Sequence, residues 1–180
     1  MTSAVFIGVD LGTSLIRKST GLAYLVEQNG RPWLESPPLH IISDDALIRS
    51  SIIRMAENSS SKIVAIDAPL SRPEHGTMRE CEKRLCKHGM PCFPSGAEWV
   101  RTWVDKAIRL KKWAENELGA KVIEVYPYAA RVTLGMDVKK KTKKGRQIIQ
   151  KRLPGFIEGS IEDTFLSHDE LDAILSAYQK

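Results

Sequence analysis

Residues 5–14 read VFIGVDLGTS. A run of Val, Phe and Ile arrives at Asp10, a Leu-Gly turn follows, and two hydroxyls, Thr13 and Ser14, come next. Two chemistries use such an opening. In one, the turn and its hydroxyls wrap a nucleotide phosphate. In the other, the aspartate at the end of the strand holds a metal ion. The surrounding chain separates the two, and with them the fold.

Three apolar runs finish on a carboxylate or close to one: AVFIGVD (4–10), KIVAID (62–67) and KVIEVYP (121–127). Their Val and Ile are continuous rather than alternating, which suits strands covered on both faces by helices. Between the first two runs lie two more extended stretches, GLAYLVEQ (21–28) and LHII (39–42). A loop at 11–20 and a turn at 28–32 separate them. Helical periodicity marks 44–58, where Leu47, Ile48, Ile52, Met55 and Ala56 share a face, and also 77–88, 97–118 and 145–153. In the long helix Trp103, Ile108, Leu110 and Trp113 read as packing residues. Ser167 and Glu170 form a capping box that opens HDELDAILSAYQ (168–179). This order predicts an α/β fold of ribonuclease H-like type: a mixed five-stranded sheet, order 3-2-1-4-5, with strands 1, 4 and 5 parallel and helices on its flanks. The expectation is a single domain over residues 1–180 with a helical insertion at about 72–118.

In that topology strands 1, 4 and 5 are neighbours roughly 4.8 Å apart. Asp10, Asp67 and Glu124 then meet at the carboxyl-terminal edge of the sheet, where α/β folds bind ligands. Converging carboxylates repel one another unless a cation neutralises them. Mg²⁺ or Mn²⁺, as a pair of ions, suits an all-oxygen set. Each acid also has a plainer reading. An Asp after a strand often caps the following turn. Glu124, inside an apolar run, needs either a cation or a basic partner such as Arg79 or Arg131. The terminal helix adds Asp169 and Asp172. Its apolar face is Leu171, Ile174, Leu175 and Tyr178, and Asp172 lies about a quarter-turn from the centre of that face, within reach of the sheet edge. Asp169 sits in the first turn, where an acid also favours the helix dipole.

The net charge of +5 is unevenly spread. Eight Lys and Arg fall within KKKTKKGRQIIQKR (139–152), and taking those eight from the total of 27 leaves 19 basic residues against 22 acids. Lys139, Lys140, Lys141, Lys143, Lys144 and Arg146 are therefore candidates for contact with a phosphodiester backbone, and Arg79 for the scissile phosphate. A solvated loop is the plainer reading of the lysine run, and a salt bridge to Glu124 or Glu82 that of Arg79. Tyr126 and Trp99 could stack on bases, although aromatics in such positions commonly pack in the core. Cys81, Cys86, His88 and Cys92 do not have the spacing of a common zinc knuckle, so no zinc is expected. Three clustered cysteines, an opening without a basic leader and the lack of a membrane-length apolar run point to a cytoplasmic protein with no membrane contact.

Several of these segments carry a resemblance. GVDLG (8–12), TGLA (20–23), AIDAPLS (65–71), GTMRECE (76–82), IEVYPYAA (123–130), LG (134–135), KTKKGR (141–146) and DELDA (169–173) follow one another almost end to end. The chain so resembles the domain-of-unknown-function family 429, described as nucleases of ribonuclease H-like fold and distantly similar to Holliday-junction resolvases. The resemblance implies Asp10, Asp67 and Asp172 as the core metal-binding and catalytic acids, with Asp169 as the further acid of a D-x-x-D helix. Glu124 belongs to the family's own IEVYP segment and joins the catalytic set on that ground. Two metal ions bridged by Asp10 would activate water and stabilise the leaving oxygen, hydrolysing DNA or RNA. Because branched-junction enzymes of this fold dimerise, a homodimer belongs to the same expectation. Two alternatives stand beside it. One is a nucleic-acid-binding module without turnover. The other is an actin-like phosphotransferase lobe, which would need a second lobe and an adenosine-binding Gly-Gly segment that the sequence lacks.

Overall fold

The computed structural model describes residues 4–12, 19–42, 44–159, 161 and 165–178, so Thr13 and Ser14 lie outside the described residues. Four strands open the chain: β1 (Ala4–Asp10), β2 (Ser19–Gln28), β3 (Arg31–Leu34) and β4 (Leu39–Ile42). Helix α1 (Asp45–Ala56) leads to β5 (Ser61–Asp67), then to α2 (Glu80–Lys87) and α3 (Arg101–Asn116). After them come β6 (Lys121–Glu124), α4 (Pro127–Thr133), α5 (Lys143–Arg152), the short β7 (Glu158–Gly159) and α6 (His168–Tyr178).

The strands form one sheet in the order β6-β5-β1-β2-β3-β7. β1, β5 and β6 are parallel neighbours and β2 runs antiparallel to β1, as the sequence predicts. The third strand differs from expectation. It is split, with β3 on the outer half of β2 and β4 on the inner half. Asn29 and Gly30, both at positive φ (54° and 77°), close the β2–β3 hairpin. Pro37 and Pro38 then interrupt the ladder, because proline has no N–H to donate.

Two apolar layers cover the sheet. On one face Val5, Ile7, Val9, Val64 and Ile66 pack against Ile48 and Ile52 of α1 and Ala107, Leu110 and Trp113 of α3. On the other, Ala23 and Leu25 meet Leu171, Ile174 and Leu175 of α6, with Ile149 of α5 closing the layer. Each such Leu or Ile contributes about 1.5–3 kcal/mol on burial. Continuous apolar strands thus follow from a sheet covered on both sides.

Helix α6 lies very close to the sheet. A Cβ on Gly8 would stand 1.9 Å from the Ala173 carbonyl oxygen, and one on Gly21 would stand 2.2 Å from that of Asp169. Only glycine permits this approach. The helix is consequently buried from Leu171 through Ala177 on every side, not along one stripe. Its predicted capping box forms: Ser167 N–H donates to Glu170 Oε2 at 2.6 Å, and Glu170 N–H donates to Ser167 Oγ at 3.2 Å.

Candidate functional site

Asp10 and Asp67 are register partners at the ends of two parallel strands, so their carboxylates leave the same face of the sheet. That is the face on which α6 sits. Carboxylate oxygens of Asp10, Asp67 and Asp172 all lie within 4.8 Å of one another, as do ligand atoms of Asp10, Asp169 and His168. Asp172 is interior, only 3% exposed. Its Oδ1 is buried with no hydrogen-bond partner. Burial pushes the Asp67 carboxyl up to about 7, with the Lys140 charge opposing and the Glu124 charge adding to the rise. Burial and then the neighbouring Asp67 charge raise Asp10 well above the carboxylate range. Asp169 behaves oppositely. Burial would raise it, but His168 and Ser19, whose hydroxyl donates at 2.8 Å, hold it down at about 2.

The acids already face one cation. Lys140, in the loop between α4 and α5, places its Nζ in an ion pair with Asp172. Asp10, Asp67 and Asp169 also act on the ammonium, while burial lowers its pKa. The donor set fits a hard divalent ion: oxygen ligands in excess of one positive charge, one of them without a partner.

Glu124 stands apart from this cluster. It pairs with Ile66 rather than Asp67, and a one-residue offset turns a strand's side chain to the opposite face. There it accepts from Leu70 N–H at 2.8 Å and from Arg79 Nη1 at 2.7 Å. Arg79 also donates through Nε to Glu82 at 2.8 Å. The Arg79 guanidinium thus sits between two carboxylates, the arrangement named above as its plainer reading. Although burial opposes it, the Glu124 contact raises the guanidinium's pKa.

The basic run is mostly the start of a helix. Thr142 caps α5 by accepting from Gly145 N–H at 3.0 Å. Lys139, Lys141, Lys143 and Lys144 are exposed. Arg146 donates to the Lys141 carbonyl at 3.1 Å and lies over the Phe165 ring, 5.0 Å from its centroid. Lys140 alone turns inward to the acids.

A cavity of about 1070 Å³ opens from the acids, and Arg79, Lys141 and Arg131 share its lining with Tyr126, Tyr128, Phe93 and Trp103. Sequence reasoning missed His168 and His40, the latter 3.2 Å from Asp169 Oδ2. For His168 a signal existed, since it directly precedes the D-x-x-D helix acids. Cys81 and Cys86 are exposed, and Cys92 is half-buried.

No protein-family model matches the chain, and no curated protein sequence does either. Among solved structures the chain is similar to RuvC of Thermus thermophilus in complex with a Holliday-junction substrate, at 14% identity and a TM-score of 0.55, covering 97% of this chain and 90% of that one. The Thermus thermophilus RuvC structure alone gives 13% identity, the same TM-score of 0.55, and coverage of 97% and 91%. At such identity the likeness is one of fold, and the fold is ribonuclease H-like.

Proposed function

We propose that the chain is a metal-dependent nuclease of ribonuclease H-like fold, acting as a single domain on phosphodiester bonds of DNA or RNA, and a member of the family its motifs resemble. The observation that carries the reading is the meeting of Asp10, Asp67 and Asp172 within 4.8 Å, with one oxygen of Asp172 buried and unpartnered. Resemblance in fold to a protein solved with a Holliday junction supports nucleic acid as the partner. A homodimer belongs to the same reading.

Asp10, Asp67 and Asp172 would hold one Mg²⁺ or Mn²⁺, and Asp169 with His168 would complete a second position beside Asp10. A divalent ion there supplies Lewis acidity to the attacking water and to the departing oxygen. The chain's own residues do the rest. Asp67 releases its proton as the acids take up positive charge. Lys140 gives up its place among them and moves with Lys141 toward the phosphate. The exposed Lys139, Lys143 and Lys144, with Arg146, line up the backbone of the strand. Glu124, held by Arg79, fixes the turn after β5 through Leu70 and keeps Asp67 in place.

Asp10→Asn keeps the shape of the side chain and removes one charge. It should lower Mn²⁺-dependent cleavage of labelled oligonucleotides by about a thousand-fold or more while leaving thermal unfolding cooperative. Cleavage undiminished in that variant would overturn the reading. A second reading, a nucleic-acid-binding module without turnover, draws on Lys140, which already sets one positive charge among the acids. Calorimetry separates the two: no heat of Mn²⁺ binding would favour the second.

A further inference from the structure

The segment between β5 and β6 carries a feature that the metal site does not use. Phe93 and Trp99 are large apolar side chains left 53% and 68% exposed. They pack edge to face, with centroids 5.2 Å apart, and Phe93 meets Trp103 in the same way at 6.1 Å. This aromatic group is tied to the site at both ends. Trp103 Nε1 donates to the carbonyl of Leu11, the residue after Asp10, at 2.9 Å. Tyr126, which follows β6, donates through its hydroxyl to the carbonyl of Pro91. Phe93 and Trp103 therefore line the same cavity as the acids, at a fixed offset from them.

The cavity's charge names the occupant. Arg131 is only 4% exposed, yet among the described residues it makes no ion pair, and its Nε has no hydrogen-bond partner. Its bonds go to the Val138 carbonyl at 3.1 Å and its face to the Tyr128 ring. A buried guanidinium with no carboxylate in hydrogen-bond contact, Asp137 acting on it only through space, leaves a place for an anion. An apolar aromatic wall beside an unpaired cation, opening onto acids suited to a metal ion, fits a nucleotide: base on the wall, phosphate toward Arg131. In a duplex the π faces of the bases are covered by their neighbours, so only a base outside the stack can meet such a wall.

We propose that Phe93 and Trp99 form a stacking platform for an unpaired base next to the phosphate held at the acids, so that the substrate is a strand with unpaired nucleotides at the cut. The proposal rests on reading the acid cluster as a phosphodiester site. Stacking on an aromatic side chain changes affinity about 5- to 150-fold per base on alanine substitution.

The test uses the full chain with Ca²⁺ and a 20-nucleotide oligonucleotide carrying 2-aminopurine, single-stranded or annealed to its complement. Stacking should quench the 2-aminopurine in the single strand. In Phe93→Ala/Trp99→Ala the quench should vanish and the preference for single strand over duplex should fall at least about ten-fold. Trp99→Phe should recover most of it. Persistence of the quench, an equal loss on both substrates, or no binding of either would each overturn the platform. Cleavage by the unaltered chain with Mn²⁺ is scored separately. Quenching without cleavage keeps the platform and removes the nuclease. Cleavage without preference for unpaired bases removes the platform alone.

Discussion

Asp67 concentrates the site's electrostatics in one side chain. Its carboxyl, an ordinary 3.8 when solvated, stands at about 7 in the fold. Between those values the native chain keeps a proton that the unfolded chain has lost, so through Asp67 stability falls as pH rises from about 4 to about 7. A divalent ion competes for the same oxygens, which gives the opposite slope for metal affinity. Mn²⁺ should bind about eight-fold more tightly at pH 6.5 than at pH 5.5, and about four-fold more tightly again by pH 8. Calorimetric titrations at these three pH values decide it, and a flat profile would mean that Asp67 takes no part. Asp169 does not blur that window, because its own transition lies lower, near 2, whereas Asp10, raised by burial and by Asp67, adds to the same slope. At this scale much was legible in the sequence. Asp10, Asp67 and Asp172 stand out because a carboxylate ends an apolar run or breaks a helical one. Lys140 did not stand out among its lysine neighbours, since only the path of the loop turns it inward. Exposed Phe93 and Trp99 look no different in sequence from buried aromatics.

At the scale of elements, the position of α6 depends on what is absent from the strands below it. Gly8 and Gly21 let the helix backbone rest on β1 and β2, and this brings Asp169 and Asp172 down to Asp10. In Gly21→Ala the new Cβ meets backbone, which cannot rotate away. The helix must lift, at a cost of about 1–3 kcal/mol, and the acids must separate. Thermal unfolding should show the lost stability and calorimetry a weaker Mn²⁺ affinity. Gly155→Ala is the control, because a Cβ there meets nothing within 4 Å. Full stability and metal affinity in Gly21→Ala would show that the contact is not limiting. Element order and capping signals were readable: the Ser167–Glu170 box begins α6 as expected. Register was not. Apolar runs mark a strand without fixing its neighbour's offset, and one residue of offset sends Glu124 to Arg79 instead of to the other acids. The split third strand escaped notice although Pro37 and Pro38 mark the break.

Across the whole molecule, the acids are a standing cost that a divalent ion would relieve. Like charges gathered in one place weaken the fold, and Lys140 offsets only part of them. With Mn²⁺ at a hundred times its Kd, mass action adds about 2.7 kcal/mol. For a chain of this size that corresponds to a Tm increase of about 5–10 °C. Asp10→Asn should lose most of that increase, and removal of the ion by EDTA should reverse it. Differential scanning calorimetry with and without Mn²⁺ measures both, and equal Tm values would argue against a metal site. The ribonuclease H-like architecture was readable at this scale because strand and helix order, together with right-handed crossovers, leaves few topologies open. The width of the sheet was not, since β7 is only two residues long, too short for any periodicity.

The seating of α6 also has a meaning in time. Among the described elements it is the last along the chain, yet it rests on the first two. As the polypeptide leaves the ribosome, Asp10 and Asp67 emerge early and wait for the partners that α6 alone brings. Whatever chemistry these acids perform is withheld from any copy of the chain that stops short of α6.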